Sequence, residues 1–450
     1  MEDKNYYTDV AIIGAGISGT ALLYMLARYT DVESISIFEK YKKSSTLNSN
    51  AKANSQTLHL GDIETNYDLE KAKKVNKSSS MVANFIEYAG LVDDVGFKKT
   101  KMVLAVGEDE IERLKQRYKE FKSTYPYLEL WNEEDLKDIE PSLVEKREEP
   151  ILAMGVKNTI STVNYGKLSQ KFIELSLKEE VSTTIHYKTD VEKITRKWGN
   201  YLLHTNRGEF MAKTIVVNAG AHSLLLAHNM GYGKDYALLP IGGSFYFTKK
   251  KILNSKVYTM QNPKLPFAAV HGDPDLTAKW KTRFGPTAFA MAKLERYHDV
   301  ELGNLFGLLN IDKSVLSVYK DLMVDDEIRA YIFRNMAHEL PHIGQEFFIK
   351  EAQKIIPSLN AKDLEYADGY GGMRPQIIDK TNKTLLLGEA KIDTGKGIIF
   401  NMTPSPGASS CLGNAFKDAK ILAKFLDIEI RKSQIKKELC NEKQNCNIYE

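Results

Sequence analysis

Three glycines spaced Gly-x-Gly-x-x-Gly, directly after an apolar run, constrain the fold of this chain most strongly. The apolar run Thr8–Ile13 predicts a buried strand, and an apolar helical pattern follows the glycines as far as about Tyr29. Gly14 permits a tight turn, Gly16 permits a close approach of the backbone to a ligand, and Gly19 permits close packing of helix on strand. The chain is therefore predicted to begin with a strand, a tight turn and a helix.

A second strand with an acid at its end makes this turn a candidate dinucleotide site. Ser34–Phe38 predicts the strand, and Glu39 follows it, 20 positions after Gly19. The helix N-terminus offers free N–H groups to a pyrophosphate, and the acid can accept hydrogen bonds from a ribose hydroxyl. A glycine-rich turn without a ligand is the alternative. We predict that a dinucleotide binds here, through Gly14, Ala15, Gly16, Ser18, Gly19, Glu39 and Lys40.

Composition excludes several classes of protein. The 450 residues suffice for two or three folding units, and a net charge of +3 argues against nucleic acid as a partner. We find no apolar run of about 18 residues or more that could span a bilayer, and no signal peptide. The cysteines show no metal-ligand spacing, so no metal is expected, and Cys440 and Cys446 look incidental. These features predict a cytoplasmic protein.

Later segments of the chain indicate which dinucleotide binds. Thr214–Ala219 predicts a buried strand, and Gly397–Asn401 predicts another that leads through a glycine-containing loop into a helix, Ser410 to about Leu426. A small NAD domain would close within about 150 residues, whereas nucleotide-type elements recur here far down the chain. This pattern favours FAD held by a discontinuous domain. The expected contacts from these later segments are Ala219, Gly220, Pro406, Gly407, Ala408 and Ser409.

Several strings of residues resemble a known family. They are LPIGGSFYF (239–247), VHGD (270–273), FGP (284–286), RPQ (374–376) and SPGAS (405–409). The order of segments is similar to the glutathione-reductase-type flavoproteins, in the branch of D-amino-acid oxidase, L-2-hydroxyglutarate dehydrogenase and glycerol-3-phosphate dehydrogenase. Within that branch the strings resemble the FAD-dependent malate:quinone oxidoreductases, over nearly the whole chain. VHGDPD departs from the His-Leu-Asp pattern of the larger branch of that family.

This resemblance implies a function and leaves alternatives open. It implies FAD-dependent oxidation of L-malate to oxaloacetate, with electrons passed to a membrane quinone. Another 2-hydroxy acid such as 2-hydroxyglutarate or lactate, or oxygen as the acceptor, would keep the same fold. A non-catalytic dinucleotide-binding regulator is the alternative from another class.

The implied fold is α/β (α+β overall), a Rossmann-type FAD-binding domain with a mixed-sheet substrate domain inserted. We expect the FAD-binding domain to comprise residues 1–80, 150–235 and 370–427. Residues 81–149 and 236–369 are expected to form the substrate domain, and 428–450 a polar, frayed tail. Asp109–Lys122 predicts a charged helix packed by an apolar stripe, Ile111, Leu114, Tyr118 and Phe121.

Two histidines are candidates for the base that takes the hydroxyl proton. If His271 lies on a strand, Asp273 shares its face and can fix the imidazole tautomer. A hydrogen-bonded structural histidine is the alternative. His59, in the segment Ala53–Glu64, is the rival base, and a role in supporting that loop is its alternative.

Binding of a hydroxy acid also needs a cation for its carboxylate. Arg374 is the first candidate, because a guanidinium can bind a carboxylate through two parallel hydrogen bonds, and an ordinary surface arginine on a loop is its alternative. A dicarboxylate needs a second cation, for which Arg283 is the candidate and an ordinary ion pair the alternative. The resemblance also places Ser55 at the pyrophosphate, Gln56 and Thr57 near the flavin, and Gln56 and His59 near the substrate.

A quinone is lipid-soluble, so the resemblance implies peripheral contact with the inner face of the cell membrane. Two segments combine basic and apolar residues in the way that such contact requires, Lys417–Lys437 and Phe245–Tyr258. Their apolar residues could equally pack on the protein and leave the lysines solvated.

Overall fold

The computed structural model describes residues 7–261, 269–298, 302–386, 389–403 and 406–440. Pro404 and Ser405 of the predicted glycine-containing loop, and residues 441–450 of the predicted tail with Cys446, lie outside these ranges. The strands are β1 Tyr7–Ile13, β2 Ser34–Glu39, β3 Gly96–Val106, β4 Glu129–Trp131, β5 Ile151–Val163, β6 Ser182–Tyr187, β7 Val191–Lys197, β8 Asn200–Thr205, β9 Gly208–Val217, β10 Tyr236–Gly243, β11 Tyr246–Thr248, β12 Lys256–Thr259, β13 His271–Pro274, β14 Thr282–Gly285, β15 Phe289–Ala290, β16 Leu364–Tyr366, β17 Gly372–Asp379, β18 Thr384–Leu386, β19 Ala390–Asp393 and β20 Ile398–Met402.

The described residues contain twelve α-helices. They are α1 Ile17–Tyr29, α2 Leu69–Tyr88, α3 Glu108–Lys122, α4 Glu133–Ile139, α5 Tyr165–Ser176, α6 His222–Asn229, α7 Leu302–Leu309, α8 Lys313–Val324, α9 Asp326–His338, α10 Gly344–Gln353, α11 Cys411–Leu426 and α12 Lys432–Leu439. Helix α3 covers the predicted charged segment, and its Ile111, Leu114 and Phe121 are buried as expected.

The first sheet has the Rossmann-type arrangement that the sequence predicts. Its order is β19-β20-β9-β1-β2-β6, with β8 pairing β9 and β7 pairing β8. Strands β20, β9, β1, β2 and β6 are mutually parallel. The central strand β1 is continuously apolar from Val10 to Ile13, because helices or a second β layer cover both faces of a parallel sheet.

Glycines set the distance between β1 and α1. Gly14 has φ +99°, and a Cβ added to it would lie 2.5 Å from the carbonyl oxygen of Asn218. A Cβ on Gly19 would lie 1.9 Å from the carbonyl oxygen of Gly14. Both distances are far below van der Waals contact, so a side chain at Gly19 would force α1 away from the turn, and one at Gly14 would force the turn away from the segment after β9.

Two further sheets form the substrate half of the molecule. One is four-stranded and antiparallel, in the order β15-β10-β17-β18. The other is eight-stranded and mixed, in the order β16-β11-β14-β13-β12-β3-β5-β4, with β12 parallel to β3. Helices α7–α10 lie between β15 and β16 in the chain.

Strand pairing corrects one of the expected domain boundaries. Strand β5 begins at Ile151 but pairs with β3 and β4 in the mixed sheet, so the nucleotide half resumes after Val163 and not at 150. Strands β17 and β18 pair in the four-stranded sheet, which shares a core with the first sheet through Leu238, Met373 and Ile377, so the boundary at 370 stays a prediction.

The beginning of the expected tail is folded. Helix α12 buries Ile435 and Leu439 in the core beneath α1 and α2, and Glu438 binds the Arg28 guanidinium at 2.9 Å. Cys440 is disulfide-bonded, which corrects the interpretation of this cysteine as incidental. An amphipathic helix was missed because charged residues dominate its short sequence.

Candidate active site

A cavity of about 550 Å³ lies at the carboxyl ends of the parallel strands, where open α/β sheets bind ligands. Its wall joins the turn at Gly14 to Arg374 on β17 and to the loop at His59. The predicted cofactor residues that line it are Gly14, Gly16, Ser18, Glu39, Lys40, Ser55, Thr57, Ala219, Gly220, Pro406, Ala408 and Ser409. Ala15, Gly19, Gln56 and Gly407 do not line it. The cavity connects the predicted dinucleotide turn with the substrate half.

Glu39 is held beside the glycine turn by backbone donors. Its Oε2 accepts a hydrogen bond from the N–H of Ala15, and its Oε1 accepts one from the N–H of Tyr41, both at 2.9 Å. Burial raises the pKa of Glu39, and these donors oppose that effect. The next residue, Lys40, forms an ion pair with Glu295.

The N-terminus of α1 faces a serine that sequence reasoning missed. The N–H of Ile17 donates to Ser49 Oγ at 2.9 Å, and a Cβ on Gly16 would lie 3.2 Å from the same oxygen. Ser49 also lines the cavity. A hydroxyl at a helix N-terminus can satisfy a free N–H or donate to an anion bound there. The signal in the sequence was weak, because Ser49 lies in a polar stretch that contains several serines and asparagines.

The loop around Ser55 and Thr57 presents alternate residues to the cavity. Between them, Gln56 has φ +55° and is fully buried. Its amide nitrogen donates to Asp275 Oδ2 at 3.0 Å, and its amide oxygen accepts from the N–H of Leu276 at 3.1 Å. This contradicts the expectation that Gln56 approaches flavin or substrate, because its amide already bonds to the 275–276 turn.

His59 reaches the cavity with its orientation fixed. Its Nδ1 lies 2.8 Å from Glu64 Oε1, and its backbone N–H donates to Ser409 Oγ at 3.0 Å. Burial acts to raise the pKa of Glu64, but the interaction with His59 outweighs burial and lowers this pKa below its usual value, so the carboxyl stays ionised. An ionised carboxylate only accepts hydrogen bonds, so Nδ1 carries the proton and Nε2 is the basic nitrogen.

His271 and Asp273 come together on β13, as the spacing predicts, but inside a buried cluster of charges. His271 Nε2 lies 3.3 Å from Asp273 Oδ1, without hydrogen-bond geometry. Lys256 Nζ lies 2.7 Å from Asp273 Oδ2, and Arg283 Nη2 lies 3.1 Å from it. The imidazole stacks on Tyr258, with ring centroids 4.7 Å apart.

The charges in this cluster act in opposite directions on the pKa of His271: Asp273 raises it, whereas Lys256 and Arg283 lower it. Burial acts to raise the pKa of Asp273, but Arg283 and Lys256 outweigh it and hold that pKa well below its usual range. Burial lowers the pKa of His271 to about 4. His271 is therefore neutral at neutral pH. It does not line the cavity, and its ring lies behind Phe245, which does.

Both terminal nitrogens of Arg283 are bound within the protein. Besides Asp273, its guanidinium bonds to Asp275 Oδ2 at 2.7 Å and to the carbonyl oxygens of Asn54 and Ser55 at 3.1 and 2.9 Å. Its side chain has no exposed surface. This geometry speaks against the expected role as the second substrate cation and matches the alternative of an ion pair that positions the loop.

Arg374 lies on β17, opposite Ile241 of β10, and lines the cavity. Within the described ranges its guanidinium has no hydrogen-bond or ion-pair partner. Burial lowers its pKa, with Tyr331 opposing, but a guanidinium stays charged at any working pH. An unpaired guanidinium in a cavity wall is a binding site for an anion.

A second arginine near this point was missed in the sequence. Arg296 Nη2 bonds to Ser244 Oγ and to the Tyr366 hydroxyl, and its Nη1 is buried without a partner among the described residues. A Cβ on Gly371 would lie 3.4 Å from Arg296 Cζ and 2.1 Å from the carbonyl oxygen of Gly243. A Cβ on Gly243 would lie 3.7 Å from Arg374 Nη2, so both guanidinium groups lie close to these two glycine backbones.

Comparisons with known proteins give the family and the fold. A model of the malate:quinone oxidoreductase family matches residues 6–441. A probable malate:quinone oxidoreductase of Campylobacter jejuni is 49% identical over 441 residues, 96% of this chain and 98% of that protein. The malate:quinone oxidoreductase of Helicobacter pylori is 46% identical over 442 residues, again 96% and 98%.

The fold also matches a solved flavoprotein. Dithionite-reduced L-α-glycerophosphate oxidase from Mycoplasma pneumoniae, with FAD bound, superposes with a TM-score of 0.66 at 18% identity and covers 96% of both chains. The predicted Rossmann-type and mixed-sheet architecture is confirmed by this match. With a family model that extends over nearly the whole chain and close relatives of the same length, the chain belongs to the malate:quinone oxidoreductase family.

Proposed function

We propose that this protein uses FAD to oxidise L-malate to oxaloacetate and passes the electrons to a membrane quinone. The observation that carries the chemistry is one cavity that joins the glycine turn, the His59–Glu64 pair and the unpaired guanidinium of Arg374. The family supports the substrate and the acceptor.

The residues around the glycine turn fit FAD. The turn leaves no room for a Cβ at Gly14 or Gly19, and the N-terminus of α1 and Ser49 can bind the pyrophosphate. Glu39 keeps acceptor capacity for a ribose hydroxyl, since each of its oxygens receives a single bond from the backbone. The chemistry that FAD supplies when bound is acceptance of a hydride from C2 of the hydroxy acid.

The residues at the other end can bind and deprotonate the substrate. We place the carboxylate next to C2 on Arg374, where two parallel hydrogen bonds fix its plane. His59 Nε2 takes the hydroxyl proton, and Glu64 stabilises the resulting imidazolium through Nδ1. This moves the proposed base from His271 to His59, because of these two candidates His59 lines the cavity and His271 does not.

A dicarboxylate has a second charge to satisfy. We propose Arg296 for it: Arg296 lies behind the residues that line the cavity and its Nη2 is 3.6 Å from Glu339 Oε2, but its buried Nη1 has no hydrogen-bond partner among the described residues. Arg283 is reassigned to positioning the loop at Ser55. A four-carbon diacid would then be held by cations at both ends, which a monocarboxylate such as lactate cannot use fully.

An anaerobic titration tests this function most directly. Purified protein with its flavin is mixed with L-malate while the absorption band of the oxidised flavin is followed. Bleaching of the band at low malate concentration is the expected result. A band that malate leaves unchanged, but that 2-hydroxyglutarate or lactate bleaches, would overturn the substrate, and absence of a band after FAD is added would overturn the cofactor.

A quinone acceptor requires that the protein meet the bilayer. No helix within the described residues is long and apolar enough to cross a membrane. We propose peripheral association with the inner face of the cell membrane, which fits an acceptor dissolved in lipid.

A further inference from the structure

Exposed apolar side chains concentrate in one part of the molecule. Of the eighteen large apolar side chains that are exposed in the described residues, ten lie between residues 306 and 347. We call this the α7–α10 surface, and its members are Phe306, Ile311, Leu316, Met323, Val324, Phe333, Met336, Leu340, Ile343 and Phe347. Exposed apolar residues scattered singly are ordinary, whereas such a concentration marks an interaction site.

Two of the same helices reach the cavity wall with their other side. On α7, Asn304 lines the cavity and Leu305 is buried, while Phe306 is 65% exposed. On α9, Tyr331 is close enough to Arg374 of the cavity wall to interact with it electrostatically, and Phe333 is 56% exposed. Helices α7 and α9 therefore connect the α7–α10 surface to the cavity wall.

Residues 302–353 carry eight acidic and five basic side chains, so they do not form a basic patch, and some of these charges are in ion pairs. Arg334 Nη1 lies 3.2 Å from Glu351 Oε1, and Arg329 pairs with Asp326 on the same helix. Lys380 Nζ pairs with Asp312 Oδ2 at 3.0 Å at the start of α8. The attraction that this surface offers is therefore apolar, and it depends little on ionic strength.

The two segments that the sequence suggested for membrane contact are less suitable. In Phe245–Tyr258 the apolar side chains of Phe245, Phe247 and Val257 are buried in the substrate half. In Lys417–Lys437, Leu422 and Ile435 are buried in the core around α1, and Phe425 is exposed alone. The alternative stated for these segments, packing on the protein, is what the structure shows.

We propose that the α7–α10 surface docks the protein on the lipid bilayer by inserting its apolar side chains among the acyl chains. This proposal rests on the proposed function, because a quinone dissolved in lipid must reach the cavity whose wall α7 and α9 contact. Docking through this surface places these two helices, and the side of the cavity that they contact, next to the lipid. A second copy of the chain would instead bury this surface and separate the cavity from the bilayer.

Vesicle flotation tests the proposal on the whole flavin-loaded protein. The variant Phe333→Ser/Met336→Ser/Leu340→Ser removes three apolar side chains from the outer side of α9 and the turn after it. Trp198→Ser is the control, since Trp198 is an apolar side chain that is 79% exposed but lies between β7 and β8, outside the α7–α10 surface. We expect wild type and control to float with neutral phosphatidylcholine vesicles, and the triple variant to bind roughly tenfold more weakly or worse.

Salt dependence and oligomeric state show whether lipid or a second copy of the chain covers the α7–α10 surface. Binding of wild type should change little between about 50 mM and about 500 mM salt. Binding only to anionic vesicles, with loss at high salt, would overturn the apolar mechanism. A wild-type dimer that the triple substitution converts to monomer, with vesicle binding unchanged, would assign the surface to a second copy.

Two electron acceptors separate this proposal from the proposed function. The triple variant should reduce a water-soluble dye with malate at the wild-type rate, and should lose most of its activity with a long-chain quinone embedded in vesicles. Equal loss with both acceptors would show damage to the site and overturn the docking role. Failure of wild type itself to reduce the dye with malate would overturn the proposed function, whatever the vesicle result.

Discussion

Two histidine–carboxylate pairs lie in different parts of this molecule, and the pair that the sequence favoured is the one that does not reach the cavity. His271 and Asp273 share a strand face at a spacing typical of a base and its orienting acid. His59 and Glu64 lie on an irregular loop. In the structure the loop pair reaches the cavity, and the strand pair is enclosed in protein.

The difference lies in the other partners of each carboxylate. Asp273 binds two buried cations, Lys256 and Arg283, and its approach to His271 lacks hydrogen-bond geometry. Glu64 has one strong partner, the imidazole of His59, and can stabilise its protonated form. A carboxylate can support a base only where its charge is not already neutralised, and that depends on contacts that sequence spacing does not show.

Replacement of the cavity histidine should have the largest effect. We expect His59→Asn to lower kcat/KM for malate by about 10²–10⁴-fold, the range typical of losing a general base. Flavin content should stay normal, because the backbone bond to Ser409 remains. Rapid reduction kinetics with malate measure this directly.

His271→Asn is the matched control for that variant. It should keep kcat per bound flavin within a few-fold of wild type. If His271→Asn abolishes flavin reduction while His59→Asn does not, the base belongs on β13 and the assignment above is wrong.

Replacement of Arg374 should have the second-largest effect on activity with malate. Removing one partner of a desolvated charge pair costs about 2–5 kcal/mol, so Arg374→Gln should raise KM for malate by roughly a hundredfold or more. Arg374→Lys should recover part of that loss, because it restores charge without the planar pair of donors. An unchanged KM in steady-state assays would place the substrate carboxylate elsewhere.

Arg296 should show a smaller and more selective effect. A hydrogen bond to a charged group contributes about 1.5–3 kcal/mol, so Arg296→Lys should raise KM for malate by roughly tenfold or more. The KM for lactate, which lacks the second carboxylate, should change much less. A parallel loss for both acids would show that Arg296 only supports the fold around Ser244 and Glu339.

Periodicity and glycine chemistry predicted the nucleotide half of the fold well. The segments predicted as strands at the start of the chain and after residue 214 pair in parallel as β1 and β9. These elements have short-range signatures, namely apolar runs, a Gly-x-Gly-x-x-Gly turn and a terminal acid. The chain as far as Glu39 carries enough local information to fix its own structure.

Long-range register determined what the sequence could not show. Antiparallel pairing of β13 with β14 sets Arg283 directly opposite Asp273, so the arginine chosen as a substrate cation is an ion-pair partner. Arg296 lies in a segment without regular structure, and its position beside Gly371 depends on the packing of three segments. Both outcomes depend on contacts between residues far apart in the chain.

Replacement of His271 should change how the free energy of unfolding depends on pH, and should leave turnover of malate nearly unchanged. The pKa of His271 is lowered from 6.5 to about 4, so the unfolded chain binds this proton at a higher pH than the folded chain. The stability that His271 contributes is complete above pH 6.5 and is lost as the pH falls through 4, at a cost of about 3 kcal/mol. Urea unfolding of wild type and His271→Gln between these pH values should therefore show the gap in unfolding free energy shrinking as the pH falls. A gap that stays constant would mean that the folded protein protonates His271 at the pKa it has in the unfolded chain, and would overturn its description as a buried, neutral imidazole.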